Sequence, residues 1–219
     1  MQAKWTGVVV FLALFAAQSA DARVWHVDLD GTADFTSIQA AIDSVGVADT
    51  ILVAAGTYDE NLDTKGKWLV FLSESGPEVT IIDGGQRGSV VRLIGGGILE
   101  GFTVRNGLAQ DAGGGVHVDT STGTNAGGVV RNCIIENNRA GFAPDFGCGG
   151  GVYLSGLMHD FVIEYSVIRN NLAGRDGGGI SNVGYRTVIQ STKITNNLCQ
   201  GSGGGYRAWF WDPTGLFGG

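Results

Sequence analysis

The chain has 219 residues, 38 of them glycine and only 3 proline, and carries a formal net charge of −7. An acidic chain without clustered Lys and Arg excludes nucleic acid as a partner. Abundant glycine without a Gly-X-Y period or companion proline excludes collagen and proline-rich disorder.

The first elements read as an address. Lys4 precedes an apolar run from Gly7 to Ala17, and Ala20-Asp21-Ala22 supplies the small-x-small cleavage pattern. Residues 1–22 are therefore expected to be a signal peptide and 23–219 one mature domain, secreted or held at the cell surface. The apolar run is too short for a bilayer span, and no second one follows, so no integral membrane span is expected. Cys133, Cys148 and Cys199 include no Cys-x-x-Cys pair. They are read as small buried or half-buried residues on adjacent turns, neither a zinc site nor a disulfide framework.

Asp28-Leu29-Asp30-Gly31-Thr32-Ala33-Asp34 has the look of a calcium loop, but Gln39 stands where the bidentate Glu is needed, so a turn is expected instead. Thr36-Ser37-Ile38-Gln39 has the form of a capping box, and Ile38, Ala41, Ile42 and Val45 fall on one helical face. This predicts a helix over 37–45 whose apolar stripe covers one end of the domain. Short strands follow at Thr50–Val53, Leu69–Leu72, Val79–Ile82, Val90–Leu93 and Ile98–Val104, with turns such as Ala55-Gly56-Thr57 between them.

From residue 102 the chain repeats itself. Phe102 to Gly107, Cys133 to Asn138, Ser166 to Asn171 and Thr192 to Asn197 share one signature, and each precedes a triple glycine. The marker asparagines Asn106, Asn137, Asn170 and Asn196 are 31, 33 and 26 residues apart. Short alternating segments at that period predict an all-β, right-handed single-stranded parallel β-helix, because one coil alone cannot bury its apolar face. The coils run over about 50–219. The asparagines are assigned a structural role, as corners at positive φ and as amide ladders, and the glycine triplets mark tight corners. Before each asparagine, Arg105, Glu136, Arg169 and Thr195 form an outward charge ladder that favours register.

After each triplet, Val116, Val152, Ile180 and Tyr206 are placed inward and His117, Tyr153, Ser181 and Arg207 outward. This outward row is the candidate ligand-binding set, suited to an extended polysaccharide or cell-surface glycan. Trp209 and Trp211 could add sugar-stacking surfaces or cover the end of the column. The last coil reaches no Asn corner, so either that aromatic tail covers it or the stack continues.

The string Asp30 to Asp43, then Asp49 to Val53, then Gly56 to Asn61, resembles the opening of the pectin-lyase-like β-helix superfamily. The later repeats resemble exported β-helix and polymorphic outer membrane proteins, and the resemblance covers essentially all of the mature chain. It implies the β-helix fold, and it implies a catalytic set only where the motifs match. A pectinesterase needs two carboxylates and an arginine; two of its motifs are missing, and Asp160-Phe161-Val162-Ile163-Glu164 only approaches the third. A pectate lyase needs calcium-holding acids beside a base, whereas Asp111, Asp119, Asp145 and Asp176 read as solvated loop acids. Alternation shows no acid pair or acid-plus-base cluster on one face. The expectation is thus a scaffold for adhesion, assembly or polysaccharide binding, with no catalytic residues, cofactor or metal. A lyase-like or pectinesterase-like enzyme is the alternative.

Overall fold

The computed structural model describes residues 22–121, 127–141, 147–156, 160–184 and 186–208. The leader up to Asp21, the acid Asp145 and the aromatic pair Trp209 and Trp211 lie outside these.

The alternating segments stack as predicted, into parallel sheets wound as a right-handed β-helix. Sheet I holds β1 (Val24–Val27), β2 (Thr50–Val53), β5 (Leu69–Ser73), β8 (Gly97–Glu100), β12 (Gly128–Arg131), β16 (Phe161–Glu164) and β20 (Thr187–Gln190). Sheet II holds β3 (Gly56–Tyr58), β6 (Thr80–Asp83), β9 (Thr103–Arg105), β13 (Ile134–Glu136), β17 (Val167–Arg169) and β21 (Lys193–Thr195). Sheet III holds β4 (Leu62–Asp63), β7 (Val91–Ile94), β11 (Val116–Asp119), β15 (Val152–Ser155), β19 (Ile180–Asn182) and β23 (Tyr206–Ala208). A short sheet IV, made of β10 (Leu108–Ala109), β14 (Arg139–Ala140), β18 (Leu172–Ala173) and β22 (Leu198–Cys199), links II to III.

Alternation fills the column. Leu99, Val130 and Ile163 from sheet I, Val104, Ile135 and Ile168 from sheet II, and Val116, Val152 and Ile180 from sheet III are all within 1% of complete burial. Burying each such side chain stabilises the stack by about 1.5–3 kcal/mol. Tyr206 pairs in register with Ile180 but is 39% exposed, because no further described strand lies beyond it. Cys133 is buried and all three cysteines are free; burial pushes the Cys133 thiol up to about 12.

In the three repeats that carry Asn-Asn, the two asparagines divide the roles expected of one. Asn106, Asn137, Asn170 and Asn196 take φ between 54° and 58° and turn the corner. The ladder belongs to the next residue: Asn138 Nδ2 donates to Asn171 Oδ1 at 3.1 Å, and Asn171 Nδ2 to Asn197 Oδ1 at 3.0 Å. The side chain after the left-handed corner points into the column, where the next amide of the ladder and a backbone carbonyl of the coil before satisfy it. In the triplets, Gly149 has φ +66°, and a Cβ on Gly150 would come within 2.4 Å of the Leu172 carbonyl oxygen of the next coil. The glycines therefore permit close stacking of backbone on backbone.

Three local expectations change. The strand over 98–104 is two strands, split by Gly101 at φ +83°. Ala55-Gly56-Thr57, expected as a turn, leads into β3, and β1 was not foreseen at all. The helix α1 (Ile38–Ser44) is capped by Ser37, not Thr36: the Ser37 hydroxyl accepts from the Ala40 N–H, while Gln39 reaches sideways to Asp43 and Asp63. Ile38, Ala41 and Ile42 bury its inner face, and α1 contacts β1, β2 and β4, at the first coil of the column.

Candidate functional site

Because Leu62, Val91, Val116, Val152 and Ile180 all face inward on sheet III, the residue after each must face outward. The outward column is Asp63, Arg92, His117, Tyr153, Ser181 and Arg207, one residue per strand and in register. Strand spacing of about 4.8 Å brings successive side chains into contact. Arg92 Nη1 lies 3.3 Å from Asp63 Oδ2, and the His117 and Tyr153 rings meet edge to face with centroids 5.1 Å apart.

A cleft of about 430 Å³ opens beside the first half of this column, lined by Asn61, Asp63, Arg92, Gln110, Asp111 and His117. Its far wall is the segment from β10 to Ala112. That wall is tied to the preceding coil, where the Leu108 N–H donates to the Gly88 carbonyl at 2.9 Å and the Ser89 hydroxyl to the Ala112 carbonyl at 3.4 Å. Burial holds the His117 imidazole below its ordinary range, and Arg92 pushes it the same way against the carboxylates of Asp119, Asp63 and Asp111. His117 is therefore neutral at pH 7, with one ring nitrogen to donate and one to accept. Burial also raises Tyr153, which stays a phenol and keeps its O–H donor. Two carboxylates, a guanidinium, two amides and an imidazole in one concave space can bind a polyhydroxylated ligand by many hydrogen bonds.

The four residues singled out from the sequence are thus brought into one column, though not on equal terms. His117 lines the cleft, Tyr153 packs against it, and Arg207 stands at the far end of the row. Ser181 was expected outside but is completely buried, its hydroxyl without a hydrogen-bond partner among the described residues. The turn at Gly177 folds back onto it: a Cβ there would stand 2.7 Å from the Ser181 Cβ. Asp63, Arg92 and Gln110 escaped the sequence reading, since they precede or interrupt the asparagine-marked repeats, and Asp111, expected as a solvated loop acid, instead lines the cleft. The alternation of Val91, Arg92 and Leu93 does mark Arg92 as outward. Contrary to the expectation from alternation, acids and a base do converge on one face.

The remaining acids are differently placed. Asp160 is exposed at the entry to β16, 3.5 Å from Arg186. Asp119 is on β11 and not in a loop, and Asp176 is buried, accepting from the Ser202 N–H at 2.8 Å. In the segment from Asp28 to Asp34 the carboxylates are spent on the turn: Asp30 accepts from Thr32 and Asp34 from the His26 N–H. Among the described residues no group of three or more His, Cys, Asp or Glu is arranged to hold a metal ion.

Sheets I and II carry charged columns too. On sheet II, Arg169 pairs with Glu136 as the predicted ladder requires, whereas Arg105 pairs with Asp83 of the preceding coil. On sheet I, Arg131 Nε and Nη2 both donate to Glu100, and Gln190 donates to Glu164. Alternating pairs on two sheets are a register device, whereas the sheet III cleft combines a concavity with an imidazole.

Among the described residues no helix is long and apolar enough to cross a membrane. No protein-family model matches the sequence, and no curated protein matches it. Among solved structures the chain is similar to a pectin methylesterase from carrot, at 17% identity and a TM-score of 0.42 over 76% of this chain, and it spans 62% of that structure's length.

Proposed function

We propose that the chain is an exported β-helix scaffold that holds an extended polysaccharide along the outward column of sheet III, in the cleft bounded by Asp63 and His117. Export rests on the order of charge, apolar run and small residues before Arg23. The observation that carries the binding reading is the cleft itself, which lies alongside a row of polar and aromatic groups repeating at strand spacing. A linear ligand gains contacts with each coil it passes, and the Tyr153 ring offers an apolar surface beside the hydrogen-bonding groups. Adhesion or assembly at a cell surface is a consequence of such binding.

The test is a glycan screen of the chain from Arg23 onward, followed by calorimetry. His117→Ala and Tyr153→Ala should each weaken binding about tenfold, equivalent to ~1.4 kcal/mol, while Arg169→Ala on sheet II leaves it unchanged. Equal effects of all three, or no glycan bound, would remove the proposal.

A second reading, a polysaccharide-active lyase or esterase, draws on Asp63, Arg92, Asp111 and His117 standing together. Release of unsaturated sugars or methanol from pectin, abolished by His117→Gln, would favour it over the scaffold.

A further inference from the structure

The outward face of sheet I differs from the other two. One of its columns is a stripe of β-branched apolar residues, Val70, Ile98, Val129, Val162 and Val188, stacked in register. None is fully buried, and Val188 is 40% exposed. Parallel sheets ordinarily cover such a face, and a contiguous apolar stripe on a surface marks a contact. Two residues further along each strand runs the column Glu100, Arg131, Glu164 and Gln190, also in register. Tyr165, 63% exposed and held at φ +50°, stands at the edge of this face.

The charges decide what fits there. Rotating the sheet by a half-turn about an axis along the strands, between β12 and β16, keeps each column opposite itself but reverses its order. Arg131 then faces Glu164, Glu164 faces Arg131, and Glu100 faces Gln190. In the stripe, Val129 faces Val162 and Ile98 faces Val188. No like charges meet, so the face is its own complement, as an isologous interface must be. Arg131 spends Nε and Nη2 on Glu100, which leaves the donors of Nη1 for a second carboxylate. We infer that the outward face of sheet I docks on the same face of a second copy of this chain, apolar stripe on stripe and Arg131 on Glu164, in a two-fold dimer. The cleft on sheet III faces another side of the column and stays open.

Sedimentation of the chain from Arg23 onward across a range of concentrations tests this. A reversible monomer–dimer equilibrium is expected. Val162→Lys should leave the monomer alone, with circular dichroism unchanged. Arg131→Glu sets Glu against Glu across the axis and should raise the dimer Kd at least tenfold, and Arg131→Glu combined with Glu164→Arg should restore it. A chain that is monomeric throughout overturns the inference. So does a dimer indifferent to Val162→Lys but lost with Leu198→Lys, since that contact would lie at the end of the column.

Discussion

Asn170 and Asn171 are neighbours with the same side chain and unlike duties. Asn170 is held at φ +56°, a conformation that costs most residues about 1–2 kcal/mol and that glycine adopts freely. Asn171 Oδ1 accepts from both the N–H and the Nδ2 of Asn138, and its own Nδ2 donates to the Ile135 carbonyl and to Asn197. Removing that amide leaves buried donors of Asn138 without an acceptor, at a cost of about 1–3 kcal/mol for each group stranded. Asn170→Gly should therefore leave the urea midpoint nearly unchanged, and Asn171→Ala should lower stability by about 3 kcal/mol. If the two changes cost the same, the division between corner and ladder is mistaken. Sequence alone joined these roles because both residues recur at the same period; only the inward direction of the second separates them.

At the level of elements, the seven-residue helix α1 is too short to persist unaided. It is held from outside by two charges. The Glu60 carboxylate accepts from the Ser37 hydroxyl at 2.8 Å and from the N–H groups of Ile38 and Gln39 at 2.9 and 2.8 Å. Lys67 Nζ donates to the carbonyls of Ile42 and Val45 at the other end, at 2.7 and 2.8 Å. Both neutralise groups that a helix terminus leaves unbonded, and both charges suit the helix dipole. Glu60→Ala should cost about 1.5–3 kcal/mol locally, read as amide exchange in α1 faster by roughly 10- to 100-fold with sheet II unaffected. Equal acceleration in both would mean that the helix and the column open together. The helix was legible from the spacing of Ile38, Ala41 and Ile42, and β2 from four apolar or β-branched residues in a row. Its external clamp was not, because Glu60 lies on the next coil and only the stacking brings it under Ser37. The same holds for the cleft: His117 and Tyr153 follow from repeat alignment, whereas Asp63 and Arg92 sit in coils that lack the asparagine mark. Gly101 was misjudged for a related reason, since a corner in a solenoid can be made by a single residue at positive φ and leaves no loop to see.

For the whole molecule, each coil touches only the coil above and the coil below, so the column behaves as a one-dimensional stack. Residues 134–166 span one full period, the 33 residues that separate Asn137 from Asn170. Deleting them joins Cys133 to Val167 and places Ile168 beneath Val104, Ile180 beneath Val116, and Asn171 where Asn138 now accepts from the Gly107 N–H. Among the described strand positions the like charges this brings together are Arg169 beneath Arg105, worth a few tenths of a kcal/mol on an exposed face. The shortened chain should fold with unchanged strand content per residue and a lower urea midpoint, and it should lose the glycan contact made by Tyr153. Deleting Ile135 alone removes far less mass, yet it shifts β13 by one position and turns its inward side to solvent while Glu136 enters the column. That variant should fail to fold. Circular dichroism and solubility of the two variants decide the matter: a period-length deletion that aggregates beside a soluble single deletion would show that the stack is not built from interchangeable coils.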